Sequence, residues 1–293
     1  MRPICFYHGG CPDGMTAAWI VQRAIPDIEL VPCVYGSTEP VPDCTGRDVV
    51  IVDYTFDNPT MIAIAQSAKS LVVLDHHETA IANCDGLAEH PRTTVVLDMH
   101  RSGASIAFDR FAAEAFPSYS EHAEVGEFVE YIQRRDLWQF EPGDGTDEFT
   151  AAVTSYPYTV EAWDAMCALG VDQLIDDGSA INRYRQRLIE SAVANARPVE
   201  ILGRPTWAAA CPYAYGSDVA GLLAALHPEC EFGAYYVDGP ATRSWGLRVR
   251  GEGTFNVAQF AQLLGGGGHP KASGFRAGYD TPEIIFQPKE TNP

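Results

Sequence analysis

At 293 residues and 46% hydrophobic content, the chain is long enough to bury two ordinary cores and too apolar for intrinsic disorder. Its formal net charge of −19, from 39 acidic and 20 basic residues, disfavours long nucleic acid and suits a small phosphorylated substrate held by cations and a few arginines. No apolar run reaches the length of a membrane span, and Met1-Arg2-Pro3 leads straight into a predicted strand, so neither a membrane segment nor a signal peptide is expected and the location is read as cytoplasmic. The 8 cysteines form no CxxC pair and are read as reduced, mostly buried thiols.

In chain order, Ile4-Cys5-Phe6-Tyr7 reads as a buried strand running into His8. A tight loop, Gly9-Gly10-Cys11-Pro12-Asp13-Gly14, follows it, and then a helix from Thr16 to Ala24. Glu29 to Val34 is a second strand, and Val49-Val50-Ile51-Val52 a third that ends at Asp53. Asn58-Pro59 reads as a helix cap with a first-turn proline, and the helix continues to Ser67. Leu71-Val72-Val73-Leu74 is a fourth buried strand and ends in Asp75-His76-His77. Val95 to Asp98 reads as a further edge strand or as a strand entering a polar turn. This order predicts an α/β domain with a doubly wound, mostly parallel sheet.

Such sheets carry their sites at the carboxyl ends of the strands. Three strands ending in metal-capable side chains would bring His8, Asp13, Asp53, Asp75, His76 and His77 to one rim, although they are scattered in sequence. A mixed carboxylate and imidazole set suits Mn²⁺, Co²⁺, Fe²⁺ or Zn²⁺ better than a purely oxygen-seeking ion.

Helical patterns follow at Ser102 to Ala115, Glu124 to Asp136, Val160 to Leu169 and Gly178 to Ala194, with a polar loop from Glu141 to Asp147. The last of these helices is read as a connector. The expected division is an α/β domain over 1–175, a connecting helix and linker over 176–199, and a smaller α+β domain over 200–287. Ala208 to Cys211, Phe232 to Val237 and Ser244 to Val249 read as its strands, and Ser217 to Leu226 as its helix. The tail from Pro288 onward is expected to add few contacts. Gly265-Gly266-Gly267-Gly268-His269-Pro270-Lys271 reads as an anion-binding loop, because glycines let backbone amides approach a phosphate and His269 and Lys271 add donors.

Asp75-His76-His77 and the Gly265 to Gly274 stretch together resemble the DHH superfamily of phosphoesterases, in the subfamily with a carboxyl-terminal DHHA1 domain that includes RecJ-type exonucleases, oligoribonucleases and cyclic-dinucleotide phosphodiesterases. The resemblance covers nearly the whole chain. It implies a metal-binding catalytic first domain, a substrate-binding second domain with a cleft between them, and a site for two divalent cations, with Mn²⁺ the expected ion and Co²⁺ or Zn²⁺ the alternatives. His8, Asp13, Asp53, His76 and Asp136 match the family's metal-binding motifs. Asp53, Asp75, His76 and His77 form the catalytic group, and Asp75 also stays open as a ligand. His77, Arg248, Gly266, Gly267, Gly268, His269 and Lys271 are the expected substrate-binding set, with Arg248 matching the family's phosphate-gripping arginine.

The first motif departs from the family. Where the family places two carboxylates four and six residues after the histidine, this chain has Pro12 and Gly14; only Asp13 is acidic, and Cys11 stands in one alignment where a carboxylate would be. Ligation by Cys11, and occupancy by one ion or two, therefore stay open. The implied activity is metal-dependent phosphodiester hydrolysis of short oligonucleotides or linear dinucleotides to nucleoside monophosphates. The alternatives are a phosphomonoesterase or pyrophosphatase-like enzyme on a small metabolite, and a non-catalytic nucleotide sensor. A homodimer is allowed for; neither long nucleic acid nor a membrane is an expected partner.

Overall fold

The structure, a computed structural model, describes residues 1–251 and 253–288. The described chain forms two compact units, Met1–Asn182 and the residues from Arg183 onward. The tail beyond Pro288 lies outside the described residues.

The first unit is built on β1 (Ile4–His8), α1 (Pro12–Ala24), β2 (Glu29–Cys33), β3 (Asp48–Val52), α2 (Asn58–Ser67), β4 (Ser70–Asp75), α3 (Glu78–Asn83) and β5 (Thr93–Leu97). It continues with α4 (Gly103–Ala115), α5 (Tyr119–Asp136), α6 (Thr146–Val153), α7 (Val160–Leu169) and the start of α8 (Val171–Ala194). The strands form one all-parallel sheet in the order β2-β1-β3-β4-β5, with β5 at the edge.

Strand periodicity explains why both faces are covered. Cys5, Tyr7, Val50, Val52 and Leu74 face a core shared with α1, α4, α5, α6 and α7. The intervening Ile4, Phe6, Val49, Ile51, Leu71 and Val73 face a second core that includes Met61, Ile64 and Ala65 of α2. The continuous apolar runs of β1, β3 and β4 are therefore those of strands buried on both sides. In the larger core Trp163 Nε1 donates to Thr16 Oγ1 at 2.9 Å and Trp19 Nε1 donates to Asp164 Oδ1 at 2.8 Å, so both indoles are buried with their N–H groups satisfied.

Some element bounds differ from the sequence reading. The cap of α2 is Asp57, whose carboxylate accepts the Thr60 amide at 3.1 Å, which moves Asn58 into the helix. The polar stretch at Asp147 is already helical, because α6 begins at Thr146. Helix α8 begins at Val171 rather than Gly178, and the division between the compact units falls within it. A side chain at Gly178 would meet Glu148 O at 1.8 Å, so this residue lets α8 pass close to α6.

The second unit contains β6 (Arg197–Ile201), β7 (Arg204–Ala210), α9 (Gly216–Leu226), β8 (Phe232–Asp238), β9 (Thr242–Val249), α10 (Val257–Gln262), β10 (Gly267–His269), β11 (Ala272–Gly278) and β12 (Ile284–Phe286). Its sheet runs β10-β11-β9-β8-β7-β6-β12 and is antiparallel except for β7 and β8, which are joined through α9. One face packs Val199, Phe232, Trp245 and Leu247 against α10, and the other packs Ala209 and Tyr235 against Val219 and Leu223 of α9. Among the described residues no helix is long and apolar enough to cross a membrane.

Candidate metal centre

The order of the first sheet reverses direction between β1 and β3, and the carboxyl ends of those strands flank the crevice where such sheets bind ligands. His8 is the last residue of β1, Asp53 immediately follows β3, and Asp75 closes β4 before His76 and His77. Helix α1 contributes Asp13 from its first turn, and α5 contributes Asp136 as its last residue.

These side chains converge. His76 Nε2 lies 3.0 Å from Asp53 Oδ1 and 3.6 Å from both Asp13 Oδ2 and Asp136 Oδ2. His8 Nδ1 approaches Asp53 Oδ2 at 3.5 Å, and His77 Nδ1 lies 3.8 Å from Asp53 Oδ1. Among the described residues of the first unit, three groups have donor atoms within 4.8 Å of one another: His8, Cys11 and Asp53; Asp13, His76 and Asp136; and Asp53, Asp75, His76 and His77. Asp53 belongs to two of these groups and meets the third, that of Asp13 and Asp136, through His76, and so stands at their junction.

Local backbone features hold the junction in place. Asp53 adopts a left-handed φ of 53°, a conformation that non-glycine residues rarely adopt but aspartate tolerates better than most, and its amide donates to Leu74 O at 2.9 Å. Asp13 accepts the amides of Gly103 at 2.7 Å and Ala104 at 3.0 Å, so the first turn of α4 holds its carboxylate. A side chain at Gly14 would meet His8 O at 2.3 Å, and one at Gly103 would meet Asp53 Cβ at 2.6 Å. Both glycines are therefore required for α1 and α4 to crowd against the strand ends.

Asp75 organises the histidine pair. Its Oδ1 accepts the amides of His76 at 2.7 Å and His77 at 3.3 Å and pairs with His77 Nδ1 at 2.7 Å. Asp75 thus engages His77 through Nδ1, the arrangement by which a carboxylate orients an imidazole for ligation or phosphate contact at Nε2.

The electrostatics call for positive charge. Burial and the neighbouring Asp53 and Asp136 carboxylates raise the Asp13 carboxyl well above its ordinary range; burial likewise raises Asp136, with Asp53 adding to it against the pull of His76. Burial opposes charge on His76, but Asp136, Asp53 and Asp13 outweigh it and push the imidazole up to about 11. Asp53 is held below the usual carboxylate range because the hydrogen bond with His76, the approach of His8 and the neighbouring His77 overcome its burial. Asp13, Asp53 and Asp136 thus crowd around His76, and buried oxygens of Asp53, Asp75 and Asp136 accept no hydrogen bond. This donor set, rich in unsatisfied oxygens, fits divalent cations. Burial, with Asp53, Asp136 and Asp13, raises the Cys11 thiol well above its ordinary value.

No family model matches the chain. The uncharacterized protein R106 of Acanthamoeba polyphaga mimivirus is 24% identical over 296 residues, covering 92% of this chain, which spans 66% of the length of that relative. Among solved structures, the DHH domain of a member of the s1p family of ribosomal proteins superposes with a TM-score of 0.52 and 15% identity, over 97% of this chain and 83% of that one. The chain has the DHH fold. The DHH fold is shared at the same TM-score of 0.52 by the pGpG-specific phosphodiesterase PggH from Vibrio cholerae, at 13% identity over 97% of this chain and 95% of that one. An exopolyphosphatase-related protein from Bacteroides fragilis also superposes at 0.52, with 12% identity over 93% of this chain and 85% of that one.

Within this DHH fold the departures of the first motif have a steric side. Gly14, at the offset where the resembled motif carries a carboxylate, packs so closely on His8 and Asp53 that no side chain fits. Cys11 stands instead as the residue preceding α1, grouped with His8 and Asp53. The sequence reading did not foresee the part played by Ser102, Gly103 and Ala104. The serine cap of α4 was the available signal, since an exposed helix amino terminus attracts a carboxylate, but nothing local says which one.

The expected anion-binding residues lie in the second unit. The glycine stretch there is a hairpin rather than an open loop: β10 pairs with β11 through Gly267↔Gly274, Gly268↔Ser273 and His269↔Ala272. Gly265 N donates to Gln262 O and Gly266 N to Ala261 O, closing the end of α10. A side chain at Gly266 would meet Gly274 O at 2.1 Å, and Gly268 has a φ of 136°, so close packing and backbone conformation both require glycine here. Arg248 donates to Leu247 O at 2.8 Å and to Ser217 Oγ, and Lys271 Nζ donates to Gly251 O at 2.7 Å.

Proposed function

We propose that this protein is a divalent-metal-dependent phosphodiesterase that hydrolyses short oligonucleotides or linear dinucleotides to nucleoside monophosphates. The observation that carries the reading is Asp53 at the junction of two donor groups, His8 with Cys11 and Asp13 with His76 and Asp136, on the switch-point end of the sheet. Shared fold with a pGpG-specific phosphodiesterase supports it.

Divalent cations, which His8, Asp13, Asp53, His76 and Asp136 would hold, would supply Lewis-acid stabilisation of phosphate charge and an activated water. The protein's own contribution is positional. Asp53 would share its two oxygens between the groups, Asp13 is prefixed by the α4 amides, and Asp75 sets the tautomer of His77 for a phosphate oxygen. In the second unit, Arg248, His269 and Lys271, with the backbone around Gly266, Gly267 and Gly268, are proposed to hold a further phosphate of the substrate. Mn²⁺ is the proposed ion, with Co²⁺ and Zn²⁺ as alternatives. The net charge of −19 speaks against long polymers.

A panel of linear dinucleotides, tri- and tetranucleotides, cyclic dinucleotides, phosphomonoesters and pyrophosphates, each with Mn²⁺, Co²⁺ or Zn²⁺, tests the reading. Monophosphate release from the linear diesters is the expected result. Turnover confined to monoesters or pyrophosphates would favour the small-metabolite reading, and no turnover in any combination the sensor.

A further inference from the structure

Cys11 occupies a position whose usual chemistry it does not perform. It precedes α1 with extended backbone, φ −117° and ψ 133°, where Ser, Thr, Asp or Asn normally caps the helix, yet its side chain makes no capping hydrogen bond. Its sulfur instead belongs to a group with His8 and Asp53 whose donor atoms lie within 4.8 Å of one another. A second observation points to a ligand there: Asp53, 1% exposed, has an Oδ2 that accepts no hydrogen bond and faces His8 Nδ1 at 3.5 Å. The other group, Asp13, His76 and Asp136, offers only oxygen and nitrogen.

We propose that the two donor groups are chemically unlike by construction, so that the His8, Cys11 and Asp53 group selects a sulfur-accepting cation such as Zn²⁺ or Co²⁺ while the Asp13, His76 and Asp136 group takes a harder ion such as Mn²⁺. The inference rests on the reading of this cluster as a divalent-cation centre and goes beyond it, because it assigns different ions to different residues. Thiolates favour the softer first-row ions and carboxylates the harder ones. On ligation the S–H bond breaks, its proton leaves to solvent, and the sulfur electron pair forms the bond to the ion. The consequence is a mixed-metal centre whose two members differ in lability and in their response to chelators.

Cobalt spectroscopy on the full chain tests the assignment without recourse to turnover. Co²⁺ bound by a thiolate gives a near-ultraviolet sulfur-to-metal charge-transfer band that oxygen and nitrogen ligands do not. Cys11→Ser is the variant, since serine is a favoured residue at this helix position and so preserves the fold, as a thermal melt would verify. The band is expected in the wild-type protein and absent from Cys11→Ser. With Zn²⁺ and Mn²⁺ supplied together, elemental analysis is expected to find one of each in the wild type and a zinc preference lowered at least about tenfold in the variant. Cobalt bound without the band, or a band that survives in Cys11→Ser, would overturn the selectivity and leave the metal centre standing. Failure to bind any divalent ion would overturn both.

Discussion

His76 Nε2 lies 3.0 Å from Asp53 Oδ1, at the point where the donor groups of the first unit meet. One residue follows β3 and the other follows β4, neighbouring parallel strands, so their separation is set by the sheet rather than by a loop. Sites placed on strand ends in this way are held more precisely than sites on loops.

Asp53→Asn removes the charge at this junction while keeping a side chain that tolerates the left-handed φ of 53°. The expected outcome is a folded protein with hydrolysis of linear dinucleotides reduced by 10²–10³-fold or more, on the order of the loss of one charge-stabilising group. Circular dichroism together with initial rates at saturating Mn²⁺ checks it.

Asp75→Asn acts one step back. Asp75 Oδ1 serves two amides and His77 Nδ1, so the amide variant keeps an acceptor for the backbone and loses the charge that fixes the imidazole proton. Metal affinity or turnover is expected to fall about 10–100-fold, the usual cost of losing a partner that orients a ligand. Isothermal titration with Mn²⁺, alongside the kinetics, separates the two effects.

Gly103→Ala tests the crowding of α4 on Asp53. An added methyl 2.6 Å from Asp53 Cβ must push the helix start away, and with it the amides that hold Asp13. A destabilisation of about 1–3 kcal/mol is expected from the overpacking. Denaturant unfolding reads the stability, and weaker metal binding should accompany it.

The pH dependence has a definite sign. His76 is raised in the metal-free protein to about 11, above the unfolded value of about 6.5. Its contribution to folding is therefore complete below about pH 6.5 and is lost as pH rises toward 11. A bound cation replaces the proton, so apparent metal affinity should rise with pH over the same interval. Thermal melts between pH 7 and 10, with chelator and with Mn²⁺, are expected to show a decline only in the chelated protein.

How much of this was legible in the sequence follows from where the information lies. The runs Ile4 to Tyr7, Val49 to Val52 and Leu71 to Leu74 identify parallel strands buried on both faces, and each ends in a side chain that reaches the centre. Asp136 is singled out by the family resemblance alone, because its place beside His76 depends on how α5 packs. The α4 amides around Asp13 were not legible, because they join residues 90 positions apart. The glycines at 265–268 were read for anion binding, whereas Gly266 and Gly268 are also required by a hairpin whose partner strand is not evident locally.

The central claim is that the Asp53 junction drives metal-dependent cleavage of short phosphodiesters. The most direct measurement is chromatographic product analysis of a linear dinucleotide incubated with the Mn²⁺-loaded wild-type protein, the same protein with excess chelator, and Asp53→Asn. The account requires nucleoside monophosphates from the first sample and almost none from the other two. Intact dinucleotide in the metal-loaded wild type, or undiminished monophosphate release by Asp53→Asn, would contradict it.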